Sequence, residues 1–138
     1  MTTPRLSTVA LWVALDDASE ENGCLWGVPG SHLEPTHNFF KVNPERTTTF
    51  FENQRPLEAR QKHLGTEGAV ALPVKKGGAL LFSGDFLHFS HHNSSTKPRH
   101  AYTMHFVDLH QNQWSHHNWL QRPHMPFKQY YQQVQHLQ

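Results

Sequence analysis

The sequence has little cysteine, no surplus of one charge and no long apolar run. Its single cysteine, Cys24, excludes an internal disulfide and a zinc site built from several thiolates. Lys and Arg number 12 against 11 Asp and Glu, a net charge of +1, which lacks the basic surplus of a nucleic-acid binder. No segment approaches the roughly 20 apolar residues of a membrane span, and no signal-peptide pattern opens the chain. We therefore expect a cytoplasmic protein that has neither a nucleic-acid partner nor a membrane span.

What the chain does contain is aromatic residues and histidine. Nine Phe and four Trp in 138 residues are enough to fill the core of one domain. Histidine occurs 13 times, which suits metal ligation, proton transfer or pH sensing. Because most of these histidines lie in polar stretches, we expect most of them to be solvated.

Alternating apolar residues indicate a series of short β-strands. Residues 6–15 alternate between two sets, one made of Val9, Leu11, Val13 and Leu15 and the other of Ala10, Trp12 and Ala14. An Asn-Gly turn then leads to a second strand at 24–28.

Four more strands are predicted at 69–73, 79–82, 86–90 and 99–108, after a polar, irregular excursion over 33–66. Helical periodicity is weak throughout. Short strands divided by Gly, Pro and Asn turns favour an all-β sandwich or jelly-roll barrel.

One strand carries residues suited to chemistry. In a strand over 86–90, the side chains of Phe86, His88 and Ser90 face the same side. A hairpin centred on 93–94 would place His88 opposite Arg99, and cross-strand neighbours lie about 5 Å apart. Imidazole suits Fe(II), and the guanidinium fork suits a carboxylate. Spacing alone leaves open the alternative of a structural histidine and a surface arginine.

Three motifs in order resemble the phytanoyl-CoA dioxygenase family. Residues 21–32 (ENGCLWGVPGSH) resemble its NGxL…PGSH signature, and residues 77–88 (GGALLFSGDFLH) resemble its distal-histidine segment. The stretch 101–106 (AYTMHF) continues the similarity, which runs from about residue 5 to residue 123. The family implies Fe(II)- and 2-oxoglutarate-dependent oxygenases on a double-stranded β-helix.

The resemblance also implies roles for four residues. His88 matches the C-terminal histidine ligand of the iron, and Arg99 matches the arginine that pairs with the distal carboxylate of 2-oxoglutarate. Ser90 matches a hydroxyl that assists Arg99, and Trp12 resembles a tryptophan lining the cofactor pocket. Ordinary core packing for Trp12 and a satisfied strand hydroxyl for Ser90 remain open. No further catalytic side chain is assigned. The family implies ascorbate as a reductant and a small-molecule substrate, acyl-CoA-like in some members.

The chain departs from the family at the other two iron ligands. They come from a His-x-Asp or His-x-Glu unit upstream of the strand that contains Trp12, and this chain starts almost at that strand. Its one His-x-acid unit, His32-Leu33-Glu34, belongs to the PGSH turn, and Asp85 lies in a turn before His88. We therefore expect two of three ligands to be absent.

The resulting domain prediction is an N-terminally incomplete double-stranded β-helix. Residues 1–123 are interpreted as the C-terminal part of a phytanoyl-CoA dioxygenase-like domain, and residues 124–138 as a polar, Gln-rich tail. The exposed sheet edge of such a fold favours self-association.

Two other function classes stay open. One is a non-catalytic remnant or isoform that keeps the binding surface, and the other is a His-rich, cupin-like metal-binding module. A His-x-Asp unit encoded immediately upstream would favour the enzyme. Retention on nickel resin that survives His88→Ala would favour the metal-binding module.

Overall fold

The computed structural model describes residues 2–3, 6–33, 38–53 and 68–121. These residues form ten β-strands and one 3-10 turn (Ser31–Leu33), with no α-helix among them. The strands are β1 (Thr2–Thr3), β2 (Thr8–Ala14), β3 (Leu25–Gly27), β4 (Asn38–Val42), β5 (Thr49–Asn53), β6 (Val70–Leu72), β7 (Ala79–Ser83), β8 (His88–Ser90), β9 (Ala101–Val107) and β10 (Gln113–Trp114). Within this part of the chain no helix has the length and apolar character needed to cross a membrane.

Two antiparallel three-stranded sheets form the body of the fold. One has the strand order β7-β2-β9 and the other the order β6-β3-β8. In the first sheet Trp12 lies between Leu80 and Thr103. In the second, Gly27 lies between Val70 and His88. Both sheets therefore place an early strand at the centre, between two strands from later in the chain.

The core lies between the two sheets. Its buried residues are Trp12, Ala14, Ala18, Cys24 and Leu25, and side chains such as Leu72, Leu80 and Phe82 pack against them. The two sheets therefore face each other as a sandwich. This arrangement confirms the all-β jelly-roll class that the strand pattern predicted.

The buried face of β2 is the one with small residues. Ala10, Trp12 and Ala14 are buried, whereas Val9 is 38% exposed and Leu11 is half-buried. Two alanines flanking the tryptophan let the opposite sheet approach while the large ring fills the space between them. The outer face of this sheet is apolar as well, which is why alternation alone could not tell the two faces apart.

Part of the predicted irregular excursion is a regular hairpin. Strands β4 and β5 pair through five residues each, with Phe40 opposite Phe51. The Phe40 ring centroid lies 4.7 Å from that of Phe51 and 5.5 Å from that of Trp119. The expectation of an irregular segment is therefore wrong for 38–53, because aromatic cross-strand pairs favour strands there. Residues 54–67 and the predicted tail at 124–138 lie outside the described residues.

The predicted hairpin between His88 and Arg99 is wrong. Strand β8 pairs with β3, and β9 pairs with β2, so the segment 91–100 crosses from one sheet to the other. Side-chain hydrogen bonds shape this crossing: Ser95 N–H donates to Asn93 Oδ1 at 2.9 Å, and Asn93 Nδ2 donates to the Lys97 carbonyl at 2.8 Å. Ser94 N–H also donates to the Glu21 carbonyl at 3.0 Å. These contacts replace the strand pairing that a hairpin would need.

Candidate functional site

Four exposed polar side chains lie on inward-facing strand positions. His88 and Ser90 of β8 stand opposite Gly27 and Leu25, while Thr103 and His105 of β9 stand opposite Trp12 and Ala10. Directly opposite residues share one face of a sheet, so all four share the face of core residues. All four are nevertheless exposed. They mark an opening between the sheets, which we name the inter-sheet cleft.

One ring nitrogen of the exposed His88 side chain is engaged by the backbone. Its Nδ1 lies 2.8 Å from the Phe86 carbonyl oxygen, which can only accept, so Nδ1 carries the proton in the neutral ring. That assignment leaves Nε2 with a free lone pair. A histidine whose second nitrogen bonds a backbone carbonyl is the usual form of a metal ligand. The ring is also held by aromatic neighbours, with its centroid 4.7 Å from that of Phe82.

Gly27 leaves the space that the Phe86 ring occupies. A Cβ built on Gly27 would lie 2.2 Å from Phe86 Cζ, far inside contact distance. The absent side chain therefore lets the Phe86 ring cross β3, and that ring stacks with His88 at 8° between planes and 6.4 Å between centroids. The sequence motifs assigned no role to Gly27. The only signal was a glycine inside a strand, which often marks a close approach.

Arg99 is held over Trp12. The half-buried Arg99 has its Cζ 5.6 Å from the centre of the Trp12 ring, and Trp12 is only 5% exposed. A guanidinium over an indole face gains a cation–π attraction, which restricts the direction of its fork. Burial raises the pKa of the nearby Cys24 thiol, and the charge of Arg99 lowers it by less. Trp12 is thus both a core residue and the support of Arg99.

The cleft has two levels along β2. Trp12 lies in a cross-strand row with Leu80 and Thr103, and Arg99 covers this row. Ala10 lies in the next row with Phe82 and His105, and the His88 ring packs on Phe82. Residues two apart in a strand are about 7 Å apart. The cleft therefore has a guanidinium level and an imidazole level, which belong to adjacent inward-facing rows of the sheet.

The sequence-predicted residues come from both sheets and not from one hairpin as predicted. His88 and Ser90 share a face of β8 as expected, while Arg99 approaches from the segment that leads into β9 in the other sheet. The sequence motifs assigned no role to Thr103 and His105, although strand alternation from Ala101 places both on the inner face. The roles of Ser90, Arg99 and Trp12 toward a ligand stay predictions.

The described residues do not assemble a complete metal site. Among them, no three His, Cys, Asp or Glu side chains come close enough to hold one ion. Asp85 lies in the turn after β7, and its N–H faces Ser83 Oγ at 3.4 Å. Glu34 lies outside the described residues. His88 thus fits one position of an iron site, but the rest of a three-ligand set is not found in this part of the chain.

The amino-acid sequence is similar to that of known proteins. The family model for phytanoyl-CoA dioxygenase (PhyH) matches residues 1–101. Phytanoyl-CoA dioxygenase domain-containing protein 1 of Danio rerio is 38% identical over 131 residues, covering 94% of this chain and 44% of the relative. Its homolog in Dictyostelium discoideum is 40% identical over 127 residues, covering 87% of this chain and 42% of the relative. The chain therefore spans less than half the length of these curated relatives.

Solved structures share the fold. EvdO2 from Micromonospora carbonacea var. aurantiaca, complexed with 2-oxoglutarate, matches with a TM-score of 0.57 at 25% identity, over 83% of this chain and 42% of that one. SnoK, a non-heme alpha ketoglutarate dependent carbocyclase from nogalamycin biosynthesis, matches with a TM-score of 0.56 at 29% identity, over 76% and 38%. The family model covers well over half of the sequence, and the jelly-roll sheets agree with it. This chain belongs to the phytanoyl-CoA dioxygenase family.

Proposed function

We propose that this chain supplies the 2-oxoglutarate-binding part of an Fe(II)/2-oxoglutarate-dependent dioxygenase domain that hydroxylates a small molecule. The observation that carries the proposal is the Arg99 guanidinium fixed over Trp12, one level away from the exposed His88 ring. Family membership supplies the reaction class. An acyl-CoA-like thioester is the first substrate class to test, and a cytoplasmic location is part of the proposal.

Arg99 would bind the distal carboxylate of 2-oxoglutarate. Its planar fork matches a carboxylate in a bidentate manner, and a partly desolvated pair of this kind is stronger than one in water. The exposed Ser90 hydroxyl on β8 would provide an additional donor. With the distal end at the guanidinium level, the 2-oxo acid end reaches the imidazole level of His88. The two levels thus favour a dicarboxylate over a shorter anion.

His88 would contribute one ligand to Fe(II) through Nε2. Iron bound with the 2-oxo acid supplies the oxidative chemistry, in which O₂ converts 2-oxoglutarate to succinate and CO₂ and hydroxylates a C–H bond of the substrate. The chain's own residues would orient the 2-oxo acid, with Arg99 and Ser90 holding its distal carboxylate. We propose that two of the three protein ligands are absent from this chain, and the lack of a three-donor cluster among the described residues supports this. The same observation favours a non-catalytic remnant as the second candidate.

The test of the binding role is 2-oxoglutarate affinity. We expect saturable binding to the purified chain by ligand-observed NMR, and Arg99→Leu should weaken it by about 30-fold or more, since losing one partner of such a pair costs about 2–5 kcal/mol. Lys97→Leu, which removes an exposed cation two residues away, is the matched control and should change little. Equal affinities for wild type and Arg99→Leu, or no binding by wild type, would refute the proposal.

The test of the ligand shortfall is iron retention. We expect that the 138-residue chain, reconstituted anaerobically with Fe(II), loses iron on desalting and forms no succinate from 2-oxoglutarate with ascorbate as reductant. Loss of a ligating group weakens affinity by more than the 10–100-fold typical of outer-shell losses. One iron per chain together with succinate above the blank would contradict this and assign Asp85 or Glu34 to the site.

A further inference from the structure

We infer that His105 is a ligand-contacting residue of the inter-sheet cleft, which donates a hydrogen bond to the C1 carboxylate of bound 2-oxoglutarate. This inference rests on the proposed function and deepens it. It adds a contact from β9, on the wall that faces β8, to those of His88, Ser90 and Arg99.

The register of the first sheet puts His105 at the level of His88. His105 stands opposite Ala10 in the pair β2–β9, and the other neighbour of Ala10 is Phe82 in β7. The His88 ring lies 4.7 Å from the Phe82 ring, centroid to centroid. His105 therefore flanks Ala10 on one side, and Phe82, against which the His88 ring packs, flanks it on the other.

His105 is a polar side chain among apolar neighbours on the inner face of the sheet. Its neighbour in the row, Ala10, is 2% exposed, and Phe82 beyond it packs against the core. His105 itself is exposed although it shares the face of these residues. The described part of the opposite sheet therefore leaves the inner face uncovered at His105. A ligand in that opening meets the His105 imidazole within this row.

The two-level geometry selects which end of the ligand His105 meets. A dicarboxylate whose distal end pairs with Arg99 has that end at the row of Trp12 and Thr103. Its other carboxylate lies about 7 Å further along β2, at the row of Ala10 and His105. Imidazole N–H is a good donor to a carboxylate at that point. His105 is therefore assigned to the C1 carboxylate and not to the distal one.

The test compares two ligands that differ at this end. Levulinate (4-oxopentanoate) is 2-oxoglutarate with the C1 carboxylate replaced by a methyl group, so it retains only the distal one. With EDTA present to remove metal, we expect wild type to bind 2-oxoglutarate more tightly than levulinate. His105→Leu should weaken 2-oxoglutarate about tenfold, the loss of one charge-assisted hydrogen bond, and leave levulinate unchanged.

Three variants separate a ligand contact from a folding effect. Arg99→Leu should weaken both ligands, because both keep the distal carboxylate. His105→Asn retains a side-chain donor and should keep part of the preference for 2-oxoglutarate. His92→Leu, at an exposed histidine in the crossing segment, should change neither affinity.

Each outcome bears on a different proposal. If wild type binds 2-oxoglutarate but His105→Leu weakens both ligands equally or neither, the assignment of His105 is overturned while the proposed function stands. If wild type binds neither ligand, both proposals fall. A loss confined to 2-oxoglutarate supports the assignment, because a purely structural defect would lower both affinities.

Discussion

Trp12 shows how one residue can belong to the core and to the cleft. It is 5% exposed and packs in the main core cluster, yet its ring face supports Arg99 at 5.6 Å. The two readings that the sequence left open for Trp12 are thus compatible. A substitution at Trp12 should mainly lower the stability of the fold, because a large buried ring is lost. It should also weaken ligand binding, because the Arg99 guanidinium loses the ring on which it rests.

We therefore expect Trp12→Ala to lower the free energy of unfolding by about 3–5 kcal/mol, as is typical of aromatic deletions in cores. Chemical denaturation followed by circular dichroism measures this. Trp119→Ala is the comparison: the Trp119 ring packs on Phe40 but is 51% exposed, so its loss should cost less than the loss of the buried Trp12 ring. Similar losses for the two variants would argue against a core position for Trp12.

Asp16 gives the fold an acid-sensitive contact. Its Oδ2 accepts hydrogen bonds from His100 N–H at 3.0 Å and from His100 Nδ1 at 2.7 Å. The backbone bond from His100, followed by the side-chain bond, holds the pKa of Asp16 below its usual range. A carboxyl whose pKa is lowered on folding stabilises the fold above its unfolded pKa, about 3.9. That stabilisation is lost as the pH falls through the lower, folded value.

The expected result is a loss of stability below about pH 4 that depends on Asp16. Urea unfolding at a series of pH values from 7 to 2.5 measures it, and Asp16→Asn should be less stable at pH 7 and show a flatter decline in acid. Glu20→Gln, an exposed side chain in the neighbouring turn, is the control. A decline of the same steepness in Asp16→Asn and wild type would contradict the prediction.

At the scale of elements, the packing of β3 and β8 requires a glycine at position 27. Gly27 lies opposite His88, and the Phe86 ring occupies the space that a side chain on Gly27 would fill. Leu72 Cδ1 is also only 3.2 Å from that built Cβ. An added methyl group must therefore displace Phe86, which stacks on the ring of His88.

Gly27→Ala should destabilise the fold by about 1–3 kcal/mol through overpacking and weaken 2-oxoglutarate binding by moving His88. Thermal unfolding and ligand-observed NMR measure the two effects. A second substitution, Phe86→Leu, shortens the ring that clashes and should recover part of the stability in the Gly27→Ala background. If the double variant is no more stable than Gly27→Ala, the clash with Phe86 is not the cause.

The local sequence pattern predicted the position of individual strands well. It predicted strand pairing poorly, because pairing depends on segments that are distant in the sequence. Residues 6–15 contain β2 because alternation is local, and the face shared by His88 and Ser90 follows from the same rule. The pairing of His88 with Arg99 failed because strand partners are chosen by the whole sheet. Gly27 shows the same limit, since its importance depends on Phe86, almost 60 positions later in the sequence. His88, Ser90, Arg99 and Trp12 could be anticipated as residues of one site, but the two levels of the cleft required the register.

At the scale of the whole molecule, the sheet β7-β2-β9 has an apolar outer face. Among its side chains Leu81 is 70% exposed, Tyr102 57%, Phe106 46% and Val9 38%. Among the described strands β9 pairs only with β2, so its other edge is an edge of this sheet. Apolar faces and open edges of this kind both favour association. The relatives are more than twice as long as the matched region, which leaves room for other chain segments at this surface in those proteins.

We expect the 138-residue chain to self-associate in a concentration-dependent manner through this outer face, because burying it removes large apolar side chains from water. Sedimentation velocity across a range of concentrations measures the association. Leu81→Glu places a charge at the centre of the face and should shift the chain toward monomer, whereas Leu33→Glu, at a residue 80% exposed in the 3-10 turn, should not. Association that persists in Leu81→Glu would point to edge-to-edge pairing at β9 instead. A monomer at every concentration would contradict both routes, and it would mean that the apolar side chains of this face are tolerated in water as they stand.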